Sequence, residues 1–242
     1  MQPYGWRAKL GLIYIASAYA MEVEFQKMAP PGVTTHTTRV SLGDHPEQFS
    51  IGDLTNLRTD ALQATKLLAQ APLQAIAFGC TSGSFVQGRS EDLTFIEEME
   101  RIAQIPCTTT ANAIVHACKV LDVEKIAMAS PYSLEVNELA HAYFREAGIE
   151  IDHMTGLGLM NDYAISALTL RDMYKMATQA YTEDAQALFL SCTGLATMPL
   201  IEKLEEDLGI PVVTSNQATL WHTLRLAKVK NRNTSFGTLF QH

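Results

Sequence analysis

Two cysteines stand where hydrophobic runs of the chain give way to hydroxyls and glycine. Residues 77–83 read AFGCTSG and residues 188–194 read LFLSCTG, which puts Cys80 and Cys192 each just after a short apolar run. A thiol at the end of a buried strand, followed by Thr81, Ser82 and Gly83 or by Thr193 and Gly194, lies where backbone amides and the start of a helix lower its pKa. Glycine at such a place lets the main chain approach a ligand closely. The bland alternative for each is a small buried hydrophobe, a common role of free cysteine. The match between the two motifs favours chemistry, because two thiols at equivalent positions in two halves can face each other across one cleft. Cys107 and Cys118 lack this context and read as packing residues.

Other polar candidates come from matched segments as well. Residues 17–24 read SAYAMEVE and residues 130–137 read SPYSLEVN. A tyrosine just past a strand end, Tyr19 or Tyr132, can donate its hydroxyl to a bound carboxylate. Glu22 and Glu135 fall one turn into a helix, where a carboxylate complements the dipole. Thr108 to Asn112 and Thr214 to Gln217 read as hydroxyl and amide caps that could also line a cleft. Other signals are weak. Gly156 to Asn161 misses the last glycine of a dinucleotide fingerprint, no phosphate-binding GxxxxGK[ST] exists, and there is no CxxC pair or Cys/His cluster at zinc spacing. His116 and His222 lie within helical stretches and read as structural. The expectation is no metal and no cofactor.

The elements that must position these groups come in two related sets. The first matched segments are offset by 113 residues (130 − 17), the two cysteines by 112 (192 − 80), and IPCTTTANA at 105–113 and IPVVTSNQA at 210–218 by 105 (210 − 105). Three matches in one order imply two halves of related build. Apolar runs at Gly11–Ile15, Ala75–Phe78, Ile105–Cys107, Lys125–Ala129, Ile149–His153, Ala187–Leu190 and Pro211–Thr214 predict strands. Helices are predicted at Glu22–Met28, Leu57–Gln70, Asp92–Ala103, Ala111–Leu121, Leu134–Ala147, Leu168–Tyr181, Leu200–Leu208 and Gln217–Leu226. Strands alternating with helices imply parallel sheets flanked by helices, with ligands at the carboxyl ends of the strands. The expected architecture is α/β: two pseudo-symmetric lobes with the site between them, residues 1–114 plus 219–242 forming one and 115–218 the other.

Composition narrows the setting. The chain has 242 residues, 47% hydrophobic and 18% charged, with a net charge of −8. The densest basic stretch is only Lys228 to Arg232, which argues against a nucleic-acid partner and against an anionic membrane surface. Four cysteines in a chain of this length read as reduced thiols in the cytoplasm. Arg7 and Lys9 before the apolar stretch Leu10–Ala20 superficially resemble a leader peptide, but the internal repeat of this segment favours a first strand. The sequence is compatible with a homo-oligomer and does not fix one.

Taken with SPY at 130–132, Asn137, IPVVTSNQATLWHTLR at 210–225 and FGTLF at 236–240, the cysteine motifs resemble the aspartate/glutamate racemase superfamily. Within it, the chain looks most like the branch of maleate cis-trans isomerase, arylmalonate decarboxylase and the ectoine-utilisation EutA proteins. The resemblance implies a cofactor-independent reaction on a small carboxylate. It makes Cys80 the nucleophile or first base and Cys192 the acid or second base. Thr81, Ser82, Tyr132 and Thr193 would hold a carboxylate and stabilise an enediolate-like state, with Ser17, Tyr19 and Asn137 completing the substrate-binding set. In maleate isomerase the first cysteine adds to the alkene and the second protonates the neighbouring carbon. The decarboxylase keeps only the second cysteine, so Cys80 departs from its pattern. Ala18 stands where the maleate isomerases carry a substrate-binding asparagine, which leaves that end of the pocket less polar. The leading expectation is a maleate isomerase-like isomerase or racemase. The alternatives are decarboxylation with Cys192 as sole proton donor, racemisation of an amino-acid derivative, and a non-catalytic carboxylate-binding protein.

Overall fold

A computed structural model describes residues 3–230, 232 and 234–242; of the basic stretch noted above, Asn231 lies outside the described residues. The first half runs β1 (Ala8–Ile15), α1 (Ala20–Met28), β2 (Val33–Val40), α2 (Ile51–Leu68), β3 (Ala75–Gly79), α3 (Thr81–Phe85), α4 (Arg89–Ala103), β4 (Cys107–Thr109) and α5 (Thr110–Val120). The second runs β5 (Lys125–Tyr132), α6 (Leu134–Glu146), β6 (Glu150–Leu159), α7 (Asp162–Ser166), α8 (Leu170–Ala180), β7 (Ala187–Leu190), α9 (Ile201–Leu208), β8 (Val212–Thr214) and α10 (Ser215–Leu226). Each half builds a four-stranded parallel sheet, ordered β2-β1-β3-β4 and β6-β5-β7-β8. The same order in both is the repeat made physical. Cys107 pairs with Ile76 in one sheet, and Val212 pairs with Leu188 in the other, as the matched IP segments require.

The central strands β1, β3, β5 and β7 are almost wholly buried, which is why they appear in the sequence as unbroken apolar runs. Edge strands are different. β2, VTTHTTRV, is mostly half-buried or exposed and has no apolar run, so its β-branched threonines are its main strand signal. β6 continues to Leu159, six residues beyond the predicted end, because its outer half is an exposed edge with the same weak signature. Short α3 and α7 fall below the length at which periodicity shows. α2 starts at Ile51 and not Leu57 because Ser50 and Asp53 form a reciprocal capping box. The strand predicted at Ile105–Cys107 lies two residues later, with Thr109 capping α5 through the Asn112 amide.

The halves are stitched by helices and by buried polar contacts. α10 packs against α5, α1, β3 and β4, whereas the single turns at 234–236 and 238–241 lie against α9, β8 and α10. Glu24 of α1 accepts hydrogen bonds from the Met198 amide at 2.7 Å and from Asn216 Nδ2 at 2.7 Å. Asp92 of α4 accepts from Tyr143 Oη of α6 at 2.6 Å. No helix among the described residues is long and apolar enough to cross a membrane.

Candidate active site

β3 and β7 end beside each other's half, and a thiol follows each. Cys80 is the N-cap of α3, and its sulfur accepts the Gly83 amide at 3.4 Å. The Cys192 sulfur accepts the Gly194 amide at 3.3 Å. Gly83 fits this approach because an added Cβ would come to 3.0 Å of the Cys80 sulfur. Cys192 itself has φ 138, a region where a side chain is strained, at an order of 1–3 kcal/mol. What holds it there is a chain of hydroxyls. Thr81 Oγ1 donates to Ser215 Oγ at 2.9 Å, and Ser215 Oγ accepts the Cys192 amide at 3.0 Å. From the other side, Tyr14 Oη donates to the Thr193 carbonyl at 2.9 Å, and Thr193 Oγ1 donates to the Gly79 carbonyl at 3.3 Å.

Both thiols line one small cavity between the lobes. With them are Ser82, Tyr132, Thr193 and Gly194, and an apolar wall of Ile15, Ala18, Leu42, Phe49, Leu54 and Ile165. The Tyr132 hydroxyl lies where it lowers the Cys192 thiol, and Ser82 Oγ lies 3.9 Å from the Cys80 sulfur, so each thiol has a hydroxyl beside it. A more open depression bounded by Lys119, Asp122, Glu124 and Gly148 lies before β5 and β6 begin. That is the wrong end of the strands for a ligand in this architecture.

The electrostatics correct one expectation. Burial pushes the Cys80 thiol up to about 11 and the Cys192 thiol up to about 12. The Gly83 amide and Ser82 hydroxyl lower Cys80, and the Tyr132 hydroxyl and Gly194 amide lower Cys192, but desolvation outweighs them in the closed pocket. Cys107 and Cys118 are also buried and pushed up to about 12, without a shared cavity. His116 and His222 stack at 4.2 Å; burial pushes His222 down to about 3, and its Nδ1 pairs with Thr108 Oγ1 at 3.0 Å.

The structure brings together Cys80, Ser82, Tyr132, Cys192 and Thr193, and places four other predicted residues behind or beside the cavity. The Thr81 hydroxyl is spent on Ser215. Asn137 accepts from Ser130 Oγ at 2.6 Å and donates to the Tyr132 carbonyl, so it fixes the strand end that carries Tyr132. Tyr19 is 57% exposed at the rim, with its hydroxyl on the Ser166 carbonyl. Ser17 donates to Asp162 Oδ2 at 2.5 Å. Asp162 does line the cavity, and sequence reasoning missed it. Its signal was an Asn-Asp cap just past an edge strand that showed no apolar run. The apolar wall from Leu42, Phe49 and Leu54 was missed for a related reason, since it comes from a loop and helix start after unpredicted β2. Among the described residues no cluster could hold a metal ion.

Comparison with known proteins agrees with this geometry. The family model for arylmalonate decarboxylase matches residues 52–240. Arylmalonate decarboxylase of Bordetella bronchiseptica is 30% identical over 149 residues, which span 61% of this chain and 62% of that protein. Maleate isomerase of Pseudomonas putida is 24% identical over 230 residues, 90% of each chain. A cysteine-to-alanine variant of the maleate isomerase Iso from Pseudomonas putida S16, solved with maleate, shares the fold at a TM-score of 0.90 and 21% identity over 97% of both chains. A cysteine-to-serine variant of Nocardia farcinica maleate cis-trans isomerase with a covalently bound succinylcysteine intermediate gives 0.90 at 20% identity, covering 97% of this chain and 98% of that one. Since the family match takes in both strand-end thiols and all of the second sheet, this chain belongs to the arylmalonate decarboxylase family.

Proposed function

We propose that the protein is a cofactor-independent isomerase or racemase of a small carboxylate, working through Cys80 and Cys192. Cis-trans isomerisation of maleate is the nearest named reaction. The observation that carries this reading is the pair of thiols from matched strand ends lining one cavity. A carboxylate held by Ser82, Tyr132 and Thr193 would place its neighbouring carbon between the sulfurs, so that proximity supplies much of the rate. For an alkene, the Cys80 thiolate forms a C–S bond at one carbon and the Cys192 S–H gives its proton to the other. The resulting single bond rotates, and the reverse steps expel the thiolate. The succinylcysteine in the Nocardia enzyme is the adduct such an addition forms there. For a racemisation, Cys80 removes the α-proton and Cys192 returns one to the opposite face. Thr81, Ser215 and Asn137 are positioning residues in this reading, because each acts through Cys192 or Tyr132.

The test is turnover of maleate to fumarate, and exchange of α-protons with solvent deuterium, in wild type, Cys80→Ala and Cys192→Ala. Loss in both variants is expected; unchanged turnover in both ends the two-thiol mechanism. The apolar wall and the family match support a second reading, decarboxylation of a disubstituted malonate with Cys192 as sole donor. There Cys80→Gly keeps activity and Cys192→Ala loses it.

A further inference from the structure

Glu24 is a buried acid that the two-thiol chemistry does not use. It is the repeat partner of Asn137, SAYAMEVE against SPYSLEVN, and is 3% exposed. Asn137 stays at its own strand end and fixes Tyr132, whereas Glu24 reaches across to the segment that follows Cys192. Among the described residues, each hydrogen-bond partner of its carboxyl is a donor. Oε1 accepts the Met198 amide at 2.7 Å, and Oε2 accepts Asn216 Nδ2 at 2.7 Å and the Thr197 hydroxyl at 3.5 Å. The same Nδ2 donates to the Leu195 carbonyl at 3.0 Å. Asn216 is wholly buried at the start of α10, beside Ser215, and its Oδ1 has no hydrogen-bond partner. The Leu195 amide in turn bonds the Cys192 carbonyl at 3.4 Å. Ser215 thus holds the amide of the strained Cys192, and Asn216 holds the far end of the turn that follows it.

A carboxylate, which only accepts, suits this set of donors; a carboxylic acid, which must also donate, does not. A proton on Oε2 meets the N–H of Asn216. Turning the Asn216 amide over relieves that clash, because Oδ1 then accepts the acid's O–H. The turn also sets Oδ1 against the Leu195 carbonyl, acceptor against acceptor, so the hydrogen bond to Leu195 is lost. We propose that Glu24 is a positioning residue for Cys192, and that its proton, acting through the Asn216 amide, switches the 192–198 segment between a held and a released state. The ionised form holds the thiol in the cavity, and the protonated form lets the backbone strain at Cys192 relax. The inference rests on the two-thiol reading for its effect on turnover. Lys27, on the same helix, bears on Glu24 by charge, and the groups that face it from α10 and from 197–198 are uncharged: the Asn216 amide, the Thr197 hydroxyl and the Met198 backbone amide. Arg39 of β2 is paired with Glu22. Burial pushes the Glu24 carboxyl up to about 7 against the pull of its donors, so the switch falls near neutral pH. Roughly 3% of Glu24 is ionised at pH 5.5 and roughly 97% at pH 8.5.

The experiment measures hydrogen exchange of the 193–198 amides by mass spectrometry, corrected for intrinsic rates, at pH 5.5 and 8.5 in wild type and Glu24→Gln. Glutamine keeps an acceptor for the Met198 amide and, like the acid, presents a hydrogen to Asn216. In wild type the protection factor is expected to rise about tenfold from pH 5.5 to pH 8.5, the worth of a hydrogen bond to a charged group, and in Glu24→Gln to stay low at both. Global unfolding cannot imitate this rise, because a proton bound more tightly in the folded state makes whole-protein stability fall over the same range. Wild-type protection that is flat or falls with pH overturns the proposal whether or not the variant folds, and so does a rise that survives in Glu24→Gln. Turnover of maleate gives the second readout. The ratio of wild-type to variant kcat/KM cancels the ionisation of the thiols themselves, and is expected to grow from near one at pH 5.5 to about tenfold at pH 8.5. A ratio constant with pH makes Glu24 a structural residue and overturns the switch. Absence of maleate turnover in wild type counts against the isomerase reading alone, and the exchange measurement still decides the role of Glu24.

Discussion

Alkylating the ligand-free protein with iodoacetamide at increasing pH reads the state of the two pocket thiols directly. The thiolate is the reacting form, so the rate follows the ionised fraction. An ordinary cysteine of pKa about 8.5 is roughly one-quarter ionised at pH 8. Burial pushes Cys80 up to about 11, which leaves about one part in a thousand as thiolate at that pH. Cys80 is therefore expected to react roughly 200-fold more slowly than a solvent thiol, from ionisation alone. Its rate should climb about tenfold per pH unit from 7 to 10 without a plateau. Cys192, pushed up to about 12, should be slower still, although Tyr132 and the Gly194 amide both lower it. Mass spectrometry of tryptic peptides separates these two sites from Cys107 and Cys118. The reasoning fails if either pocket thiol reacts at the solvent rate at pH 8, or if its rate levels off below pH 9. Amides and helix start would then outweigh desolvation, as the sequence alone had led one to expect.

Two further outcomes follow from the buried contacts. Ser215→Ala strips the acceptor from the buried Cys192 amide and is expected to lower unfolding free energy by about 1–3 kcal/mol. It should also lower kcat more than it raises KM, and full stability with full kcat would show that the hydroxyl chain from Thr81 holds nothing. Burial pushes Glu24 and Asp92 each up to about 7, so the folded state binds their protons more tightly than the unfolded state does. The stabilisation is complete below about pH 4 and is lost as pH rises through 7, worth about 3 kcal/mol for Glu24 and about 4 kcal/mol for Asp92. Urea unfolding should give lower stability at pH 8.5 than at pH 5, and a flat or rising profile would contradict this.

The reach of the sequence ended where burial ended. β1, β3, β5 and β7 are interior strands, and their apolar runs could not be mistaken for surface. β2 and the outer part of β6 sit at sheet edges, where threonine and glycine serve as well as valine. The loop Leu42–Phe49 and the residue Asp162 follow those edge strands, so half of the pocket wall was hidden with them. The thiol pair was legible because the repeat aligned two strand ends. What spacing cannot reveal is which hydroxyl turns inward. Thr81 and Ser82 are neighbours in α3, yet one is spent on Ser215 and the other faces the cavity.

A duplicated scaffold does not make a symmetric site. The matched tyrosines diverge: Tyr132 is 3% exposed and lines the cavity with Cys192, while Tyr19 is 57% exposed at the rim. Cys80 caps a helix with ordinary extended backbone, whereas Cys192 sits at φ 138 with its amide tied to Ser215. The sulfurs thus carry equal chemistry with unequal support. Each sulfur has a hydroxyl beside it, Ser82 Oγ at 3.9 Å from Cys80 and the more acidic Tyr132 phenol on the Cys192 side, and the stronger donor better steadies the thiolate left after a sulfur has given up its proton. That asymmetry fits Cys192 for delivering the proton and leaves Cys80, at the start of α3, to accept one or to attack. The geometry therefore predicts unequal kcat values for the two directions, offset in KM so that the ratio of the two kcat/KM values still equals the equilibrium constant.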